Sequence, residues 1–267
     1  MSNVPKTKLL EEILLKNQDY LLECMNWPTI KEKIEAGVDT VIICTASVEQ
    51  HGYHLSELTD TLIGQAVGLL VAEKLGHALL APVIRPGLSD HHIPMAGSIT
   101  LRPEVYRGII EDYVTSYKKH GFKKVVIFSS HGGNFNENEK IVKSLQESHP
   151  DMKFSSAISL MGLFDLLGQF EKKYGLAEGS TGHGGAMETS VLLHIAPDHV
   201  DMDKATPGYI GPTTEEVLNN LFKHGIVGLT DVGIIGDPRP AKLEWGEYFL
   251  ELLSNEIVKA VQKDFNS

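Results

Sequence analysis

The sequence predicts an α/β fold with a mostly parallel central sheet. Two short runs, Thr40 to Thr45 and Lys124 to Phe128, are apolar on both faces, as strands covered on both sides are. Segments with helical spacing alternate with such runs, the pattern of βαβ units. Polar, glycine-rich loops follow the strands, and open parallel sheets form their sites at that edge.

Taken in order, residues 7–24 carry Leu9, Leu10, Ile13 and Leu14 at helical spacing, and 27–36 read as a short helix opened by Pro28. After the strand at 40–45 comes a polar loop, 47–59, then a helix over 60–74. Residues 78–84 suit a strand that Pro82 confines to an edge or a bulge. Pro103 to His120 reads as a long helix, and after the strand at 124–128 a helix is expected over about 136–148. A strand over 154–160, helices over 161–177 and 186–195, and a closing helix over 242–264 complete the pattern. No repeat or Pro/Ser-rich linker divides the chain, so residues 1–267 read as one domain with a helical N-terminal extension over about 1–36.

With 42% hydrophobic and 22% charged residues the chain can bury an ordinary core. A net charge of -11, with no Lys/Arg run longer than two, argues against nucleic acid as a partner. No stretch approaches the roughly 20 apolar residues of a membrane span. The N-terminus lacks an apolar segment after a basic start. The two cysteines, Cys24 and Cys44, make no disulfide framework. A cytoplasmic protein is expected.

Four clusters can carry chemistry. Glu49-Gln50-His51-Gly52-Tyr53-His54, ending at Asp60, offers carboxylates and imidazoles suited to Zn, Mn or Fe. In Ser130-His131-Gly132-Gly133-Asn134 the glycines allow close backbone approach or a positive φ, and Asn134 also suits a helix N-cap. Gly182-His183-Gly184-Gly185-Ala186-Met187-Glu188 leads into an apolar helix. There Glu188 can face a site with His183 or simply complement the helix dipole. In Asp90-His91-His92 adjacent side chains point apart on a regular element, so only His92 is expected at the pocket. The loops at 85–100 and 205–215 are expected to shape that pocket.

Taken together, the ordered motifs Glu49-Gln50-His51-Gly52, Thr59-Asp60-Thr61, His131-Gly132-Gly133-Asn134 and His183-Gly184-Gly185-Ala186-Met187-Glu188-Thr189-Ser190 resemble the creatininase (creatinine amidohydrolase) family. Pro94 to Leu101 and Gly236-Asp237-Pro238 extend the likeness, which runs from about 38 to about 250. The resemblance implies a creatininase-like α/β/α sandwich, usually assembled as a homohexamer. It implies two divalent metal ions per subunit (Zn, Mn or Fe), held by Glu49, His51, Asp60 and His131, with Asp60 shared. Creatininase itself has a glutamate two residues after the third-motif histidine. Here Gly133 stands there; other branches of the family that carry the same His-Gly-Gly-Asn motif draw this carboxylate from the segment matching His183 to Ser190, so the resemblance implies Glu188 as the fifth ligand.

His183 matches the catalytic histidine, with Glu188 beside it, and Tyr53, His92, Ser130 and Asn134 are expected to contact a small-molecule substrate. Residues 178–182 lack the tryptophan that covers creatinine, which argues against creatinine as substrate. The function implied is hydrolysis of an amide, cyclic amide or lactone bond of a small polar substrate by an activated water. Deformylation of a formamide and opening of an oxidised inositol-type ring are alternatives within that class. A non-catalytic metal- or sugar-binding oligomer is the alternative outside it.

Overall fold

The structure, a computed structural model, describes residues 19–212 and 214–266. Four strands, β1 (Thr40–Thr45), β2 (Ala78–Leu80), β3 (Lys124–Ser129) and β4 (Lys153–Ser155), form one sheet in the order β2-β1-β3-β4. Every pairing is parallel. The side chains of β1 and β3 alternate between two cores. Val41, Ile43, Val125 and Ile127 face one way, and Ile42, Cys44, Val126 and Phe128 the other. Both faces are buried, which is why these strands read as unbroken apolar runs.

Helices cover both faces. On one lie α1 (Trp27–Glu35), α3 (Pro103–His120) and α4 (Phe135–Ser148), through Ile34, Ile110, Val114, Ile141 and Leu145. On the other lie α2 (Thr59–Leu75), α5 (Leu160–Tyr174), α6 (Ala186–Ile195) and α8 (Leu243–Asn266), through Val67, Phe170, Val191 and Phe249. A further helix, α7 (Glu215–His224), is capped by Thr214, whose hydroxyl accepts from Val217 N. The result is the expected α/β/α sandwich.

The topology positions the site. The chain crosses from β1 to β2 on one side, then returns past β1 to β3 on the other, so strand order reverses between β1 and β3. Such switch points open a crevice at the carboxyl ends of the strands. The two strands also end level, Thr45 opposite Ser129, so the loops leaving them emerge side by side.

Some expectations need correction. The helix expected over 7–24 falls mostly outside the described residues; at its described end Leu22–Cys24 is one 3₁₀ turn, and Leu21 bridges Leu80. The strand expected over 78–84 is regular only to Leu80, because Pro82 has no N–H to continue the ladder; the pairing resumes where Ile84 N donates to Cys44 O. Of the two places the proline allows, β2 takes the edge of the sheet. The strand expected over 154–160 stops at Ser155, since Ser159 caps α5 by accepting from Gly162 N.

α8 packs directly on α6. A Cβ at Gly246 would overlap the Ser190 carbonyl oxygen and crowd Val191 Cα, backbone atoms that cannot swing aside. Gly246→Ala is therefore expected to force the helices apart and cost about 1–3 kcal/mol. Thermal unfolding followed by circular dichroism checks this, and an unchanged midpoint would refute the packing argument.

Candidate metal centre

Three chain segments deliver the polar groups. The loop after β1 carries Glu49 and His51, and α2 brings Asp60 in its first turn. His131 follows β3, and α6 brings Glu188 in its first turn, with His183 in the loop before it. Carboxylates in first turns also meet the positive end of the helix. Glu49, His51, Asp60, His92 and His131 are buried. The side chains of Glu188 and His183 keep only 13% and 14% exposure.

Their polar atoms converge. His51 Nε2 lies 3.2 Å from Asp60 Oδ1 and 3.7 Å from Glu188 Oε2. His131 Nδ1 lies 3.0 Å from Glu49 Oε1 and 3.5 Å from Asp60 Oδ2. The far nitrogens of both rings are tied to backbone carbonyls: His51 Nδ1 to Glu49 O at 3.0 Å and His131 Nε2 to Leu88 O at 3.0 Å. Donation to a carbonyl fixes the tautomer and aims the other nitrogen's lone pair at the carboxylates, as in metal-binding imidazoles. Glu49 Oε1, His51 Nε2 and Asp60 Oδ2 are buried without a hydrogen-bond partner. Donors of Glu49, Asp60 and His131 lie within 4.8 Å of one another, as do those of His51, His183 and Glu188. This donor set fits divalent cations.

Electrostatics tell the same story. Burial alone would raise the Glu49 carboxyl, but His131, His92 and His183 outweigh it and hold it well below the usual range. Burial, then Glu49, raises Asp60. Burial, with Asp60 and Glu49 nearby, brings Glu188 up to about 7 despite His51. Burial would lower His51 and His131, yet carboxylates, led by Asp60 and Glu49 respectively, lift them to about 10 and about 9. His183 goes the other way: burial, then His51 and His92, push it well below its ordinary value.

The remaining predicted residues divide. Ser130 lines the cavity and donates to Asp60 O at 2.7 Å. Asn134 is fully buried and instead ties loops together, accepting from Leu88 N and donating to Ala46 O. Its side chain does not cap the helix that follows. Tyr53 is 60% exposed and does not line the cavity. Both His91 and His92 line it, because they sit on a 3₁₀ turn, not on a regular strand or helix. The 205–215 loop does not line it; Leu218 and Leu221 of α7 do. Gly133 is required for close approach, not for a positive φ: a Cβ there would meet Leu88 O and His131 Nε2.

Two residues escaped the sequence reading. Ser89 Oγ donates to Glu49 Oε2 at 2.7 Å, and a serine in a loop carries no recognisable signal. Gln50, visible inside its motif, orders two imidazoles. Its Oε1 accepts from Gly52 N and its Nε2 donates to Gly233 O, which fixes the amide orientation. His183 Nε2 lies 2.6 Å from Gln50 O and donates there, so it cannot also accept from Gln50 Nε2 at 3.0 Å. The second amide N–H therefore goes to His92 Nδ1 at 2.9 Å. His92 then carries its proton on Nε2, 3.4 Å from Glu49 Oε1, and His183 keeps its lone pair on Nδ1.

Fold and site define a class, an α/β enzyme with a buried carboxylate–imidazole centre at the switch point of its sheet. Residues 23–261 match the family model described as Creatininase: Creatinine amidohydrolase, and the chain belongs to that family. It is thus a creatininase-family amidohydrolase, which sets aside the non-catalytic reading. The chain is 31% identical over 225 residues to a protein of Mycobacterium ulcerans (strain Agy99) named mycofactocin precursor peptide peptidase, covering 81% of this chain and 82% of that one. It is 24% identical over 259 residues to creatinine amidohydrolase of Pseudomonas putida, covering 90% and 95%. A solved structure titled "Creatininase Mn" superposes with a TM-score of 0.75 at 23% identity, covering 93% of this chain and 99% of that one. Among the described residues, no helix is long and apolar enough to cross a membrane.

If Gln50 sets the imidazole tautomers, Gln50→Leu should change them while the protein stays folded. Long-range ¹H–¹⁵N spectra of the histidine rings are expected to show an unprotonated Nδ1 for His92, with its signal shifted in the variant. An identical His92 pattern in both proteins would rule out this role.

Proposed function

We propose that this chain hydrolyses a C–N amide bond of a small, peptide-like substrate with the help of two divalent ions. Glu49, Asp60 and His131 would hold one, and His51, Asp60 and Glu188 the other. The observation that carries this reading is the convergence of buried, unpartnered donor atoms from Glu49, His51 and Asp60. Zn, Mn and Fe all accept such donors, and a related solved structure is a manganese form. When bound, the ions supply Lewis acidity and a water that ionises near neutral pH.

The chain's own residues do the rest. His183, neutral and with Nδ1 facing the centre, accepts a proton and returns it to the leaving nitrogen. Such transfer contributes roughly 10²–10⁴-fold. His92, with its proton on Nε2, offers a hydrogen bond to the substrate carbonyl. The relative named as a precursor peptide peptidase supports a peptide-like amide. Opening of a polyol-type ring has less support: a relative named 3-dehydro-scyllo-inosose hydrolase is 26% identical over 113 residues, only 42% of this chain, against 81% for the peptidase. Creatinine is not proposed, since residues 178–182 offer no aromatic cover. A homohexamer completes the reading by family likeness.

Protein purified without chelator should carry about two ions per chain by mass spectrometry of metals, and Asp60→Ala should lose most of both. Normal metal content in that variant would overturn the ligand assignment. His183→Ala should keep its metal and lose roughly 10²–10⁴-fold in turnover; full activity would remove it from the mechanism.

Metal binding should also release protons. Ligands must be deprotonated, yet Glu188 titrates near 7, His131 near 9 and His51 near 10 without metal. At neutral pH protons therefore occupy ligand atoms. Lowering the pH adds to them, so affinity must fall as pH drops through 8 to 6. Calorimetry in buffers of different ionisation enthalpy measures the release; zero net release at pH 7 would contradict it.

A further inference from the structure

The cavity over the centre, about 180 Å³, is lined by the polar groups of the centre and otherwise mostly by apolar side chains. The apolar wall is built from Ile63 and Val67 of α2, Leu163 and Leu167 of α5, and Leu253 of α8. The source of the wall is clear in α5. Leu160, Leu163, Phe164 and Leu167 recur at helical spacing and make one stripe, the face such a helix normally buries. Here all four stay half-buried, because the stripe fronts the cavity.

We propose that this wall is a subsite for one large apolar side chain, aromatic or branched aliphatic, next to the bond that is cleaved. The inference rests on the hydrolase reading and names its substrate class: peptide-like amides of hydrophobic residues. Size supports it, since an apolar cavity of about 150 Å³ holds a benzene ring. The cavity, about 180 Å³, has room for one ring or branched chain and not for two. Polarity supports it too. The hydroxyls of a sugar or polyol would lose water at this wall and find no partner, which is costly. A small polar ring would pair with the carboxylates and imidazoles and leave the apolar side chains uncovered.

The test uses the manganese-loaded full chain with Phe-Gly, Gly-Phe, Leu-Gly, Gly-Leu and Gly-Gly as substrates. In at least one position Phe or Leu should raise kcat/KM by about tenfold or more over Gly-Gly, the discrimination an apolar pocket supplies. Leu163→Asp should compress that ratio toward one. Equal rates for all dipeptides would overturn the subsite and leave the hydrolase reading intact. If no dipeptide is cleaved, the hydrolase reading of peptide-like amides is in trouble, and binding then decides the subsite. Calorimetry with phenylalaninamide and glycinamide should give at least about tenfold tighter binding of the former, with a negative heat-capacity change. Equal binding would overturn the subsite as well.

Discussion

Everything around the switch point answers to one constraint, the burial of Glu49, Asp60 and Glu188 against each other. Carboxylates removed from water are tolerated only with compensating charge and hydrogen bonds. Here the compensation comes from His51 and His131, lifted far above the usual imidazole range by those same carboxylates. Protons on these rings and divalent cations are two ways to satisfy one charge balance, and the lone-pair geometry accepts either. Backbone carbonyls on His51 and His131 and hydroxyl donation from Ser89 to Glu49 hold the cluster in place without adding charge. Gly184 N likewise donates to Glu188 at 2.6 Å.

The sheet makes this cluster possible. Because β1 and β3 end in register, Glu49 and His131 leave adjacent strands at the same height. The first turns of α2 and α6 then close the cluster from one face of the sandwich. α2 can lie so near because it shows Gly64 to Cys44 and Ser130, where a Cβ would clash. Asp60 sits one turn away, so a helix pushed outward at residue 64 would carry that carboxylate off its partners.

Much of this was legible in the sequence, for physical reasons that also set the limits. β1 and β3 read clearly because a strand buried on both faces must be apolar throughout. Pro82 confined its strand to an edge or a bulge, since an interior strand needs the N–H it lacks. The motif residues were visible because several ligand-type side chains clustered beside glycines. What a linear reading misses is reach. Ser89 and Gln50 act through hydrogen bonds across 40 or more positions, Ser89 to Glu49 and Gln50 to His92 and His183. The apolar stripe of α5 looks like any core-facing stripe, and only the tertiary packing shows that it faces a cavity. Asn134 and Tyr53 lie within the motifs, yet one ties loops together and the other is exposed and does not line the cavity.

The pairing of Gly133 with Glu188 is a steric matter. At position 133 a side chain would collide with the Leu88 carbonyl and with His131 Nε2, the two atoms whose hydrogen bond orients His131. A carboxylate could enter there only if that carbonyl withdrew, and His131 would then lose what aims its Nδ1 at Glu49 and Asp60. The acid that faces His51 must therefore come from elsewhere. The first turn of α6 is well placed to supply it, because Gly184 N already fixes Glu188 Oε2 within 3.7 Å of His51. The two ways of supplying this acid, from the loop after β3 or from α6, exclude each other in a chain whose 88–89 backbone takes the path seen here.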